Sequence, residues 1–210
     1  MADLPIDLDP PLAARLQQAL DLEGKIPRTL EALGPVSGRD VALVDGGEVR
    51  AGQLASLGAR VKPVGWNGAT RLPLADGSVD VVVGCWSTFR GVLPAEIAEV
   101  DRVLRPDGRH LVVHDYGRDD VSTLRGERPE YGTWGRRDGP FLAGGFKIRV
   151  VHCWWTFDEL DAARDFLGAA FGEAGLALAA SLKRPRLSYN VAVYHRGRPD
   201  PDPAAGRALV

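Results

Sequence analysis

An α/β fold, with a mostly parallel sheet and helices on both faces, is what this sequence predicts, and three observations predict it. Valine-rich apolar runs, "DVALVD" at Asp40–Asp45, "VDVVVGCW" at Val79–Trp86 and "RHLVVHDY" at Arg109–Tyr116, read as strands covered on both faces. Segments of helical periodicity stand between them, as parallel strands require. Turn signals separate the two, "DGG" at Asp45–Gly47 and "PDG" at Pro106–Gly108.

Taken in order, "PPLAARLQQALDLEGKIPRTLEALG" reads as two helices, with Leu12, Leu16 and Leu20 at helical spacing and Pro27 at the start of the second. "DVALVD" follows as a buried strand running into glycines. A short helical stretch leads to "ARVKPV", a second strand. "VDVVVGCW" is the most strand-like run, and "PAEIAEVDRVL" after it is helical, with Pro94 in its first turn. "RHLVVHDY" should lie beside "VDVVVGCW", parallel and central.

From Gly117 to Phe146 the pattern lapses into Gly, Arg, Asp and Pro. This reads as a lid or loop near the carboxyl ends of the strands, with Tyr131, Trp134, Arg136 and Arg137 as its substrate-facing candidates. "KIRVVHCWW" resumes as a strand. "TFDELDAARDFLGAAFGEAG" predicts a helix with a capping box at Thr156 and Glu159 and an end at Gly175. "LALAASL" and "LSYNVAVYHR", joined by the basic turn "KRPR", read as a closing antiparallel pair. The boundaries that follow are N-terminal helices over 1–36, a domain over 37–197 with an insertion at 117–146, and a Pro-rich disordered tail over 198–210.

Composition narrows the function. The chain has 210 residues, 45% hydrophobic and 26% charged, enough for one substantial core. A formal charge of −2 argues against a polyanion binder, so nucleic acid is an unfavoured partner. No apolar run approaches the roughly 20 residues of a membrane span. "MADLPIDLDP" lacks the basic-then-apolar pattern of a signal peptide, which predicts a cytoplasmic protein. Cys85 and Cys153 sit in strand-like runs and read as free buried thiols. His152 beside Cys153 has no second ligand pair at metal spacing, so both read as core and no metal is predicted.

The segment "LPLADGSVDVVVGCWSTFRGVLPAEIAEVDRVLRPDGRHLVVHDYGRDD" resembles class I S-adenosylmethionine-dependent methyltransferases that act on small molecules. "LPLADGSVDVVV" looks like that family's fourth-strand motif, and "AEIAEVDRVLRPDGRHLVV" like the helix and fifth strand after it. The likeness spans about Val41 to Arg196. It implies a Rossmann-like, seven-stranded, mostly parallel sheet with an antiparallel last strand. It also implies methyl transfer from S-adenosylmethionine to a small-molecule nucleophile.

Three departures fall on the cofactor side. After the first strand the family carries an acidic residue and GxGxG; here stand Asp45, Gly46 and Gly47, then Glu48 and Val49 where the loop should be bare. The second strand ends in Gly65, Trp66 and Asn67, where the family places Asp or Glu. Gly68 or Ala69 falls where it often has Asp. Asp45, Gly46 and Gly47 are thus either cofactor contacts or a plain tight turn. Trp66 could stack on an adenine or simply pack, and Asn67 could take a ribose hydroxyl. Cys85 and Trp86, with Ser87 and Thr88, would line the transfer centre or belong to core and cap. His114 is a candidate general base and Asp115 a candidate orienting or substrate-contacting group, although strand alternation points them to opposite faces. The expectation is weak or absent S-adenosylmethionine binding, with Trp66 or Glu48 partly filling the crevice. The alternative is a non-catalytic scaffold or small-ligand binding protein. A protein partner or homodimer is left open.

Overall fold

The computed structural model describes residues 3–68 and 71–199. Helices α1 (Pro10–Ala19) and α2 (Lys25–Leu33) open the chain. Asp9 caps α1 by accepting the Leu12 N–H at 2.9 Å. Asp21 does the same for α2 through the Lys25 and Ile26 N–H groups, because Gly24 at its start has no side chain to offer.

Six strands follow: β1 (Asp40–Val44), β2 (Arg60–Val64), β3 (Val79–Cys85), β4 (Leu104–Asp115), β5 (Lys147–Thr156) and β6 (Arg186–Gly197). They form one sheet in the order β2-β1-β3-β4-β6-β5. The first four run parallel, and β6 is antiparallel to both its neighbours. The two valine-rich strands are adjacent, parallel and interior, with Val83 opposite Leu111 and Gly84 opposite Val112, as their apolar faces predict. At the "RPDG" turn Asp107 takes a left-handed φ of 62° and the register of β4 jumps, from Leu104 paired with Val79 to Arg109 paired with Val81.

Alternation assigns the faces. Val81, Val83, Leu111 and Val113 meet α1, α2 and helix α7 (Leu160–Ser181) on one side. Ala42, Val44 and Val82 meet helix α4 (Pro94–Val103) on the other. The nine-residue helix α3 (Glu48–Ser56) crosses from β1 to β2.

Several expectations are corrected here. The sheet has six strands rather than seven. Among the described residues nothing corresponds to the family's third strand and its preceding helix, and Gly65–Ser78 is short for a crossover helix as well as a strand. "LALAASL" is not a strand: α7 continues through it to Ser181, and the antiparallel partners of β6 are β4 and β5. The helix breaks at Gly172 rather than ending at Gly175: Gly172 takes a non-helical φ of 60° and ψ of −136°, and the helical turns resume through Gly175, where a Cβ would stand 2.0 Å from the Leu167 carbonyl oxygen. Thr156 is the last residue of β5 and Glu159 precedes α7 without a side-chain cap, so no capping box forms. "KRPR" joins helix to strand rather than strand to strand, and Arg186 lies over the Trp154 ring.

The Gly117–Phe146 segment contains helices α5 (Asp120–Arg125) and α6 (Pro140–Ala143) and one 3-10 turn at Pro129–Tyr131. Asp119 and Asp120 accept the Asn190 and Ser188 N–H groups, which places α5 beyond the carboxyl end of β4. Trp134, Phe141 and Phe146 instead cover one face of β4 and β6 as core, while Arg136 and Arg137 are exposed. Both cysteines are free and buried. His152 is exposed, correcting its core reading, and a ring nitrogen bonds Asn190 at 2.7 Å. Of the tail, residues 200–210 lie outside the described residues, as does Ala69.

Candidate functional site

In a parallel sheet of this order the crevice lies beyond the carboxyl ends of β1 and β3, where strand order reverses. Asp45 leaves β1 with a left-handed φ of 53°, a conformation an Asp tolerates. Its carboxylate accepts the Trp66 N–H and the Ser87 hydroxyl, each at 2.6 Å. One side chain thus ties together the ends of β1, β2 and β3. Each of its oxygens accepts one hydrogen bond within the fold.

Gly46 must be glycine for a local reason. A Cβ there would stand 2.2 Å from Cγ of Leu43, which is fully buried and cannot give way. Gly46→Ala should therefore displace the loop and cost about 2 kcal/mol, the usual scale of overpacking. Chemical denaturation of the variant checks this, and an unchanged midpoint would refute it.

Gly47 is where sequence reasoning missed a participant. Its N–H donates to Asp3 Oδ2 at 3.2 Å, and Arg50 Nε donates to Asp3 Oδ1 at 3.3 Å. Asp3 is 4% exposed, and its own N–H donates to the Cys85 carbonyl at 3.2 Å. Leu4 and Pro5 are buried beside it. The N-terminal segment, not Glu48, lies across the glycine loop; Glu48 is exposed in the first turn of α3. Burial pushes the Asp3 carboxyl above the usual carboxylate range, although Arg50 and the Gly47 amide pull against it. An acidic residue near the chain start was visible in sequence, but nothing local announced a contact 44 positions away.

From Arg50 the network continues. Its guanidinium lies 5.8 Å from the centroid of the Trp86 ring, and Trp86 Nε1 donates to Asp115 Oδ1 at 2.8 Å. Trp86 also carries a left-handed φ of 49° as it leaves β3. Asp115 accepts from Arg125 and from the Tyr189 hydroxyl as well, with Tyr131 Oη at 3.4 Å. Burial raises the Asp115 carboxyl, and Arg125, Tyr189 and Trp86 oppose that rise. The Cys85 thiol, wholly buried, is pushed up to about 12 and offers no thiolate.

His114 points the other way, as alternation requires. Its ring meets Trp134 edge-on at 5.0 Å, and Arg90 lies 4.5 Å from the same indole. Burial, reinforced by Arg90, draws its pKa down to about 3. The ring is neutral at pH 7, and Nε2 has no partner among the described residues. Trp66 packs on Phe89 with centroids 4.7 Å apart, so its indole belongs to the core face, and Asn67 is exposed.

The sequence candidates thus fall into groups. Asp45, the Trp66 backbone and Ser87 meet directly. Gly47, Trp86 and Asp115 join through Asp3 and Arg50. His114 stands on the opposite face. A groove of about 580 Å³ runs beside the N-terminal segment, lined by Pro5, Ile6, Leu8, Leu124, Arg125 and Phe171 among others. At the positions where S-adenosylmethionine would meet the loop, the Gly47 amide donates to Asp3, each Asp45 oxygen accepts one internal hydrogen bond, and β2 ends without a carboxylate. No group of ligands suited to a metal occurs among the described residues, and no helix among them is long and apolar enough to cross a membrane.

No protein-family model matches the chain, and no curated protein matches it in sequence. Solved structures do. A proposed type II methyltransferase from Anaeromyxobacter dehalogenans gives a TM-score of 0.53 at 20% identity, over 82% of this chain and 96% of that one. A proposed methyltransferase of an antibiotic biosynthesis pathway from Anabaena variabilis ATCC 29413 gives 0.51 at 14%, over 85% and 98%. At such identities the likeness is one of fold. The chain has the Rossmann-like fold of class I S-adenosylmethionine-dependent methyltransferases, built on six strands in place of seven.

Proposed function

We propose that this protein is a small-molecule methyltransferase-like protein whose cofactor site is weakened. The observation that carries the reading is the glycine loop itself: Asp45, Gly46 and Gly47 keep their place at the switch point, yet the Gly47 amide is bonded to Asp3 and the Asp45 carboxylate to Trp66 and Ser87. Methyl transfer is mostly a matter of positioning, so the chemistry needs few protein groups beyond a held cofactor and an oriented nucleophile. Asp115, held by donors from four side chains, is built to orient rather than to exchange protons. His114 is neutral at pH 7 with a pKa of about 3, a weak base for such a step. The groove beside the N-terminal segment supports a small molecule as the ligand.

Titration calorimetry with S-adenosylmethionine tests the reading. The missing carboxylate at the end of β2 removes two charge-assisted hydrogen bonds, about 3–6 kcal/mol or two to four decades of affinity. A dissociation constant of about 100 μM or weaker is expected. A few micromolar would show the site intact. The internal hydrogen bond on each Asp45 oxygen favours a second reading, a non-catalytic scaffold or small-ligand binding protein. No heat at millimolar cofactor would favour that one.

A further inference from the structure

We infer that Asp3–Pro5 is a displaceable strap, with Asp3 the internal occupant of a site that takes the carboxylate of a free amino-acid-bearing small molecule. The inference rests on the weakened-site reading above and says what weakens it. Arg50 is 5% exposed, and its partners are the neutral Gln53 at 2.6 Å and the Asp3 carboxylate. A buried guanidinium beside the first amide of a helix calls for an anion. Asp3 supplies one.

The polar hold on Asp3 is loose, and Leu4 beside it, packed in the main core, is what the strap must withdraw. The three Asp3 hydrogen bonds measure 3.2, 3.2 and 3.3 Å, all at the long end of the range for such bonds. Burial raises the Asp3 carboxyl, so the Arg50 pairing does not fully offset the loss of water. Residues 6–9, between the strap and α1, form no helix or strand, so they can serve as its hinge. A free α-amino acid group would bring the same carboxylate to Arg50 and Gly47. Its ammonium would meet the negative charge of Asp45, two residues away on the loop.

The test is calorimetry on the full chain, with S-adenosylhomocysteine and free methionine as probes. Asp3→Ala should tighten at least one probe tenfold or more over the unaltered protein, and Arg50→Gln in that background should remove the gain. Asp3→Ala that melts like the unaltered protein yet binds both probes no tighter overturns the strap. If Asp3→Ala fails to fold, Asp3→Asn keeps the shape, removes the charge and is held to the same outcomes. A dissociation constant of a few micromolar for the unaltered protein sinks the weakened-site reading. Weak binding that Asp3→Ala leaves unchanged sinks the strap alone.

Discussion

Acidifying the protein from about pH 6.5 to 4.5 should remove about 5 kcal/mol of folding stability through two buried histidines. His110 and His114 are both drawn down to about 3, by burial first and by Arg196 and Arg90 second. The unfolded chain takes up their protons near pH 6.5 and the folded one only near 3. Their contribution is therefore full above the unfolded pKa and falls as pH drops toward the folded one. Each loses about 1.4 kcal/mol per pH unit in that window. Asp3, Asp115 and Asp119 are shifted upward and work in the opposite direction, so the comparison must isolate the imidazoles. His110 suits this, since neither ring nitrogen has a partner among the described residues. Urea denaturation of His110→Leu at both pH values should show about half of the histidine loss gone. An equal acid loss in the variant and the parent would refute the argument.

Arg125→Met should destabilise the protein by about 3–5 kcal/mol, the scale of a buried charge deprived of its partner. The Asp115 carboxyl is 2% exposed, and Arg125 is the cation that opposes its desolvation. Without it, the donors from Trp86, Tyr189 and Tyr131 remain, but all three are neutral. The double variant Arg125→Met/Asp115→Asn should recover part of the loss, because a neutral amide leaves no unpaired charge. A double-mutant cycle by urea denaturation reads the coupling. Additive losses would show that the two groups stabilise independently.

How much of this was legible in the sequence depends on where the decisive contacts lie. β1, β3 and β4 were plain because consecutive valines suit only a strand covered on both faces. The end of α7 was not, because a glycine that packs against backbone looks the same in sequence as one that caps a helix. "LALAASL" is equally apolar either way, and it is helical although a kink at Gly172 separates it from the preceding turns. The site divides similarly. The depleted loop and the opposed directions of His114 and Asp115 followed from position and alternation. Asp3 and Arg50 did not, since their meeting depends on how the terminus folds back over β1 and β3. Nothing in the sequence singled out Arg50, which is buried.

The missing third strand has one more consequence. With no outer neighbour among the described residues, β2 exposes a row of backbone groups at the sheet margin. Such a margin recruits strands from other molecules and seeds fibrils. Here it carries Arg60, Lys62 and Pro63, a charged run closed by a residue with no N–H to offer. Cationic residues and proline are the usual guards against edge-to-edge association. With β2 at its margin, the sheet ends on a border that is a poor template for stacking.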